Sequence, residues 1–208
     1  MIRNSSGKGK KGDKMKKIIT VSRQFCSGGS TIGKALSEIL SIPCYDSILL
    51  EKIAEKSGFD SDYIREEGEY SKGFLSMILS HSTGELSNQE KLWVIQHNII
   101  SKLASKEDCI IVGRCADYIL KDKADCLNIF IHADMDFRKE RLLASNPDVK
   151  VDKCVRFLKK KDKERAAHYN YFTGQNWGEA KNYHLTLDTG KFGIEKCVAI
   201  ISSLYKKG

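Results

Sequence analysis

The sequence predicts an α/β fold, a mostly parallel sheet covered by helices on both faces. Two observations carry this. Strand-sized apolar runs alternate along the chain with longer amphipathic segments of helical period. The first such unit reads as a strand, a glycine-containing loop and a helix. In sheets of this kind ligands gather at the carboxyl ends of the strands.

The elements follow in order. Lys17–Ser22 is a β-rich run, and the loop Arg23–Gly29 comes after it. Ile32, Leu36, Ile39 and Leu40 then recur at helical spacing, with Ser30 or Thr31 suited to the N-cap. Pro43–Asp46 suggests a short second strand. Helical patterns cover 47–58 and 60–67. A serine- and glycine-rich stretch, 68–88, reads as a mobile segment with one short helix near Phe74–Leu79. Residues 89–106 form an amphipathic helix with Leu92, Ile95, Ile99 and Leu103 on one face. Cys109–Val112 and Leu127–Ile131 read as buried strands, separated by the turn that opens with Gly113 and Arg114. Met135–Ala144 and Val151–His168 are charged helices. Tyr183–Asp188 is a last strand and Ile194–Leu204 a closing helix.

The chain has 208 residues, which suits one domain with a small inserted or mobile part. No apolar stretch reaches membrane-spanning length. The net charge of +8 resembles a nucleic-acid signal, but it is unevenly placed. Seven basic residues and one acid, Asp13, fall in the first 17, so about +2 remains for the rest. Residues 1–14 form a Gly/Ser/Lys-rich arm, expected to be disordered. Met15, just before the first strand, is a candidate true start. Nucleic-acid binding would rest on this arm alone, so small molecules are the expected partners. The seven cysteines are odd in number and show no C-x-x-C pairing. They read as free thiols in a reducing cytoplasm, and no zinc cluster is present in the pattern.

The loop carries the chemistry. Gly28–Lys34 matches G-x-x-x-x-G-K, with Ala35 where Ser or Thr is expected. That register would place Gly33-Lys34 one turn inside the helix, pointing away from a phosphate at its mouth. The better register places Arg23, Ser27, Gly28, Gly29, Ser30 and Thr31 around a phosphate at the helix N-terminus. Ser30 would reach a nucleotide-bound magnesium ion. Gly29 then stands where the usual lysine of this loop stands, so Arg23 or a basic residue from elsewhere would have to replace it. A plain strand–helix turn without a ligand is the competing reading.

Five segments together resemble the cytidylate kinase-like family, relatives of the nucleoside monophosphate kinases. They are Ile19–Gly29, Pro43–Asp46, Ile110–Ile119, Asn128–Ile131 and Asp162–Arg165 with its tyrosine-rich tail. The resemblance implies a three-layer P-loop sheet over residues 15–208, with an acceptor-binding insertion at about 60–90 and a helical lid at about 150–178. It implies ATP and Mg2+, with transfer of the γ-phosphoryl group to CMP or a related small acceptor. ATP phosphates would sit over residues 23–31, and the acceptor near Asp46, Arg114 and Asp117. Arg114 follows a buried strand and would clamp the acceptor phosphate. Asp117 would orient Arg114 or bind a base or sugar edge, or else is a first-turn helix acid. Asp46 would touch substrate or magnesium, or else cap the next helix. On the lid, Lys161, Arg165 and His168 fall at i, i+4 and i+7 and share one face. Arg165 is the candidate transition-state cation, with Lys161 beside it. Tyr169, Tyr171 and Phe172 read as a base-stacking cluster or as the packed hinge of the lid. Arg138 and Arg141 either face the site or pair with Asp136 and Glu140 at the surface. The missing lysine supports an alternative, a nucleotide sensor that keeps the fold without turnover.

Overall fold

The computed structural model describes residues 16–46 and 88–207. The expected arm at 1–14, the helices at 47–58 and 60–67, the segment 68–88 up to Ser87, and nearly all of the acceptor insertion lie outside these residues. Five parallel strands form one sheet. They are β1 (Lys17–Arg23), β2 (Cys44–Tyr45), β3 (Cys109–Val112), β4 (Asp125–His132) and β5 (Leu185–Asp188). Their spatial order is β2-β3-β1-β4-β5. β1 lies at the centre, with Ile18 opposite Cys109 on one side and Cys126 on the other. A strand with neighbours on both edges and helices on both faces has no solvent side, which is why its residues are apolar in succession.

The period-two alternation sorts the side chains into two cores. Ile18, Cys109 and Ile111 point to one face, against Leu92, Ile99, Ile100 and Leu103 of α2 (Asn88–Lys106) and against α3 (Ala116–Ile119). Ile19, Val21, Ile110, Val112, Ile129 and Ile131 point to the other. There they meet Ile32 and Leu36 of α1 (Gly29–Leu40) and Cys197, Val198 and Ile201 of the closing helix, α7 (Ile194–Lys207). Gly33 lets α1 lie close to the sheet. A Cβ at Gly33 would stand 2.9 Å from Val112 Cγ2 and 3.1 Å from Cys44 Sγ. A third, smaller core joins Leu142 of α4 (Met135–Ser145) to Cys154 and Leu158 of α5 (Cys154–Thr173). A short helix, α6 (Thr189–Phe192), follows β5. All seven cysteines are free. Among the described residues no helix is long and apolar enough to cross a membrane.

Several boundaries differ from the sequence reading. α1 begins at Gly29, with Gly28 as its cap at φ 91° and no side-chain cap. Ser30 and Thr31 do not cap it, because both lie in the first turn and their hydroxyls are engaged with other elements. The segment 151–168 is a 3-10 turn, Val151–Lys153, followed by α5, which runs on to Thr173 and stops at Gly174 with φ 66°. Tyr169, Tyr171 and Phe172 are therefore helical. The last strand begins at Leu185 rather than Tyr183, because Tyr183 turns its ring onto Phe130 at 5.1 Å.

Leu36 is fully buried between α1 and the sheet. Leu36→Ala should lower unfolding stability by about 2–5 kcal/mol in urea denaturation. A loss below about 1 kcal/mol would mean that this face is not packed as described.

Candidate active site

The parallel sheet brings the ends of β1, β2, β3, β4 and β5 to one edge, and the turns after them meet there. The turn after β1 is fixed from several sides. Gln24 N–H donates to the Ile131 carbonyl at 2.9 Å, and Gln24 Oε1 accepts from Ala133 N–H at 3.2 Å. Ser27 is fully buried, and its hydroxyl donates to the carbonyls of Gln24 and Ile131. Its oxygen thus holds the loop from within. Thr189 Oγ1 donates to the Ser27 carbonyl at 2.6 Å. Gly28 is left-handed, and a Cβ there would stand 2.3 Å from Ile194 Cδ1, so only glycine fits. No carbonyl among the described residues accepts from the amides of Gly28, Gly29, Ser30 or Thr31. They form the positive end of α1, a suitable seat for an anion.

Gly33 is buried and Lys34 exposed one turn inside α1. The G-x-x-x-x-G-K match at 28–34 thus sets its second glycine and its lysine within α1, and Gly28–Thr31 stand at the helix start.

Ser30 Oγ donates to Asp46 Oδ2 at 2.8 Å, and Asp46 Oδ1 lies 3.8 Å from Arg23 Nη2. A hydroxyl and a carboxylate at this separation make a hard-oxygen pair of the kind Mg2+ takes. Thr31 Oγ1 accepts from Arg141 Nη2 at 3.0 Å, which turns Arg141 toward the loop rather than toward Glu140.

Three arginines from different elements line one cavity of about 20 Å³: Arg23 at the end of β1, Arg114 after β3 and Arg165 on α5. Ser22, His168, Tyr169 and Trp177 line it with them. Arg114 is 8% exposed and left-handed at φ 59°. Its carbonyl accepts from Gln96 Nε2 at 2.8 Å, but no acceptor among the described residues takes its guanidinium. A buried cation without an internal partner is costly, and an incoming anion relieves that cost. Arg165 is 9% exposed. Its Nη1 donates to the Arg23 carbonyl at 3.0 Å, and its guanidinium lies 5.0 Å from the Phe25 ring centre. Burial and the neighbouring Arg114 push the His168 pKa down to about 3, so its imidazole is neutral and adds no cation.

The helix carrying Arg165 is tied to the loop at a second point. Asp162 Oδ1 accepts from Phe25 N–H at 2.7 Å, and Asp162 Oδ2 pairs with Arg138. Arg138 Nε donates to the Phe25 carbonyl at 2.8 Å. The sequence reading left Arg138 open between site and surface, and its partner here is Asp162. The role of Asp162 was not foreseen, because a charged run on a helix gives no sign of which acid turns inward.

Lys161 stays beside Glu164 at 3.4 Å and over the Phe157 ring, outside the arginine cavity. Asp117 is buried and accepts from Tyr169 Oη at 2.6 Å. Burial raises its pKa. It faces a larger polar groove of about 490 Å³, shared with Asn128, Gln175 and Lys181, rather than Arg114. The aromatic tail packs against α2. Phe172 stacks on Trp93 at 4.4 Å, and Tyr171 Oη donates to Glu90 at 3.3 Å.

Comparison with known proteins agrees with this architecture. A family model described as "Cytidylate kinase-like family" matches residues 18–191. No curated protein matches the chain. An uncharacterized protein from Eubacterium ventriosum ATCC 27560 is 25% identical, with a TM-score of 0.70, over 93% of this chain and 100% of that one. Shikimate kinase from Bacteroides thetaiotaomicron is 17% identical, with a TM-score of 0.57, over 92% of this chain and 99% of that one. A gluconokinase from Sinorhizobium meliloti 1021 is 14% identical, with a TM-score of 0.52, over 94% of this chain and 97% of that one. These last two share the fold of the P-loop kinases. With most of its length matched, including the loop after β1, the turn after β3 and α5, the chain belongs to the cytidylate kinase-like family.

Proposed function

We propose that this protein is a phosphotransferase that moves the γ-phosphoryl group of ATP to CMP or a related small acceptor. The observation that carries the reading is Arg114, buried with no acceptor for its guanidinium among the described residues, in a cavity it shares with Arg23 and Arg165. Three guanidiniums in one small space suit a group whose charge is spread over several oxygens. The free amides at the start of α1 would cradle the ATP phosphates, while Ser30 and Asp46 would hold Mg2+. The metal would neutralise charge on the phosphates. Arg114 would bind the acceptor phosphate, and Arg165 would stabilise charge on the group in transit. Lys161 would join only by exchanging Glu164 for a phosphate oxygen. Asp117 would shape the acceptor side through Tyr169, which lines the arginine cavity. No covalent protein intermediate is needed, because positioning and charge supply the catalysis.

The sensor reading keeps one specific support, the glycine at position 29. A coupled ADP-release assay with CMP, dCMP, UMP and AMP as acceptors separates the two. Turnover with one of them supports the kinase, whereas tight ATP binding with no turnover supports the sensor. Arg114→Ala should raise the acceptor KM about tenfold or more and leave the KM for ATP nearly unchanged. Arg165→Ala should lower kcat about 100-fold with little loss of ATP affinity. Lys34→Ala should stay within about twofold of wild type, since it lies on the exposed side of α1. Unchanged kinetics in Arg114→Ala would remove that residue from the site.

A further inference from the structure

The phosphate loop of this protein has its cation in an unusual place. The common pattern is G-x-x-x-x-G-K-[ST], in which the lysine reaches the β- and γ-phosphates. In the register proposed for the loop, residues 23–30 read Arg-Gln-Phe-Cys-Ser-Gly-Gly-Ser. Two of the specified positions differ. An arginine stands where the first glycine belongs, and a glycine stands where the lysine belongs. The six residues between and after them keep the spacing, including Gly28 and Ser30.

The two changes belong together in space. A Cβ at Gly29 would lie 2.7 Å from both Cβ and Cγ of Arg23. Cβ is the root of the Arg23 side chain, and no rotamer change moves it away. Any residue but glycine at 29 therefore collides with any residue but glycine at 23. The Arg23 stem runs across Gly29, and its tip reaches the turn after β3. A Cβ at Gly113 would stand 2.0 Å from Arg23 Nη1, and Gly113 is left-handed at φ 80°. The side chain thus spans from the first turn of α1 to the turn that carries Arg114. It lines the same cavity as Arg114 and Arg165, and Nη2 lies 3.8 Å from Asp46.

We propose that Arg23 is the loop cation of this site, displaced from the lysine position of the pattern to its first position, and that Gly29 is a glycine because the Arg23 stem crosses it. This inference rests on the phosphotransferase reading and deepens it. The guanidinium lies between the loop that would seat the donor phosphates and the turn that would seat the acceptor, so it serves the group passing between them. It also supplies what the glycine at 29 withholds, which removes the main support for a protein without turnover.

The inference makes the exchange reversible. Arg23→Gly with Gly29→Lys rebuilds the common pattern, G-x-x-x-x-G-K-S, from this chain's own loop. The test is Mg–ATP binding to the full chain by titration calorimetry. Four variants are compared with wild type: Arg23→Gly, Arg23→Met, Gly29→Lys, and the double Arg23→Gly/Gly29→Lys. Arg23→Met keeps the apolar stem over Gly29 and lacks only the charge, so it separates charge from folding, and thermal unfolding of each variant is followed in parallel. Arg23→Gly and Arg23→Met should each weaken Mg–ATP binding at least about tenfold, and Arg23→Met should melt as wild type does. Gly29→Lys alone should weaken it as much, by collision. The double variant should return to within about threefold of wild type. Wild-type affinity in Arg23→Met, or a double variant that binds no better than Arg23→Gly, overturns the inference and leaves the phosphotransferase reading standing. A wild-type chain that binds no Mg–ATP overturns that reading, and the inference with it.

Discussion

The site depends on like charges held together. Arg23, Arg114 and Arg165 come from three separate parts of the chain and face one small cavity. In water such a group would disperse, because each guanidinium repels the others and prefers solvent. Here two are more than nine-tenths buried, and the third is held between Asp46 and the glycines it crosses. The fold meets this unfavourable arrangement with packing elsewhere. An anion with several oxygens entering this cavity would recover part of that cost.

The sheet makes the arrangement possible. A parallel sheet sends all its strand ends to one edge, and β1 at its centre places Arg23 beside the turns from β3 and β4. Gly33 lets α1 settle on the sheet, which sets the height of its first turn above that edge. The helix carrying Arg165 is attached twice to the loop, by Arg165 to the Arg23 carbonyl and by Asp162 to the Phe25 amide. Movement of α5 is therefore coupled to the loop conformation. α5 is thus part of what shapes the loop.

Much of this was legible in the chain. β1, β3 and β4 announce themselves as apolar runs, and the helical pattern that holds Gly33-Lys34 is legible as α1. Arg114 is legible as a cation directly after a buried strand. The contacts between distant segments were not legible. Nothing in the sequence says that Asp162 rather than its neighbours turns inward, that Asp117 meets Tyr169, or that the Arg23 stem lies on Gly29. The cap of α1 was misread for the same reason. Ser30 and Thr31 are good capping residues by type, but their hydroxyls face Asp46 and Arg141, which local propensity does not see.

A crystal structure with Mg2+ and a non-hydrolysable ATP analogue tests the central claim most directly. The account predicts the β- and γ-phosphates on the amides of Gly28–Ser30, with the γ-phosphate oxygens within hydrogen-bond reach of Arg23 and facing Arg114. A nucleotide bound elsewhere, or a loop that stays closed over its own side chains at saturating analogue, would contradict it.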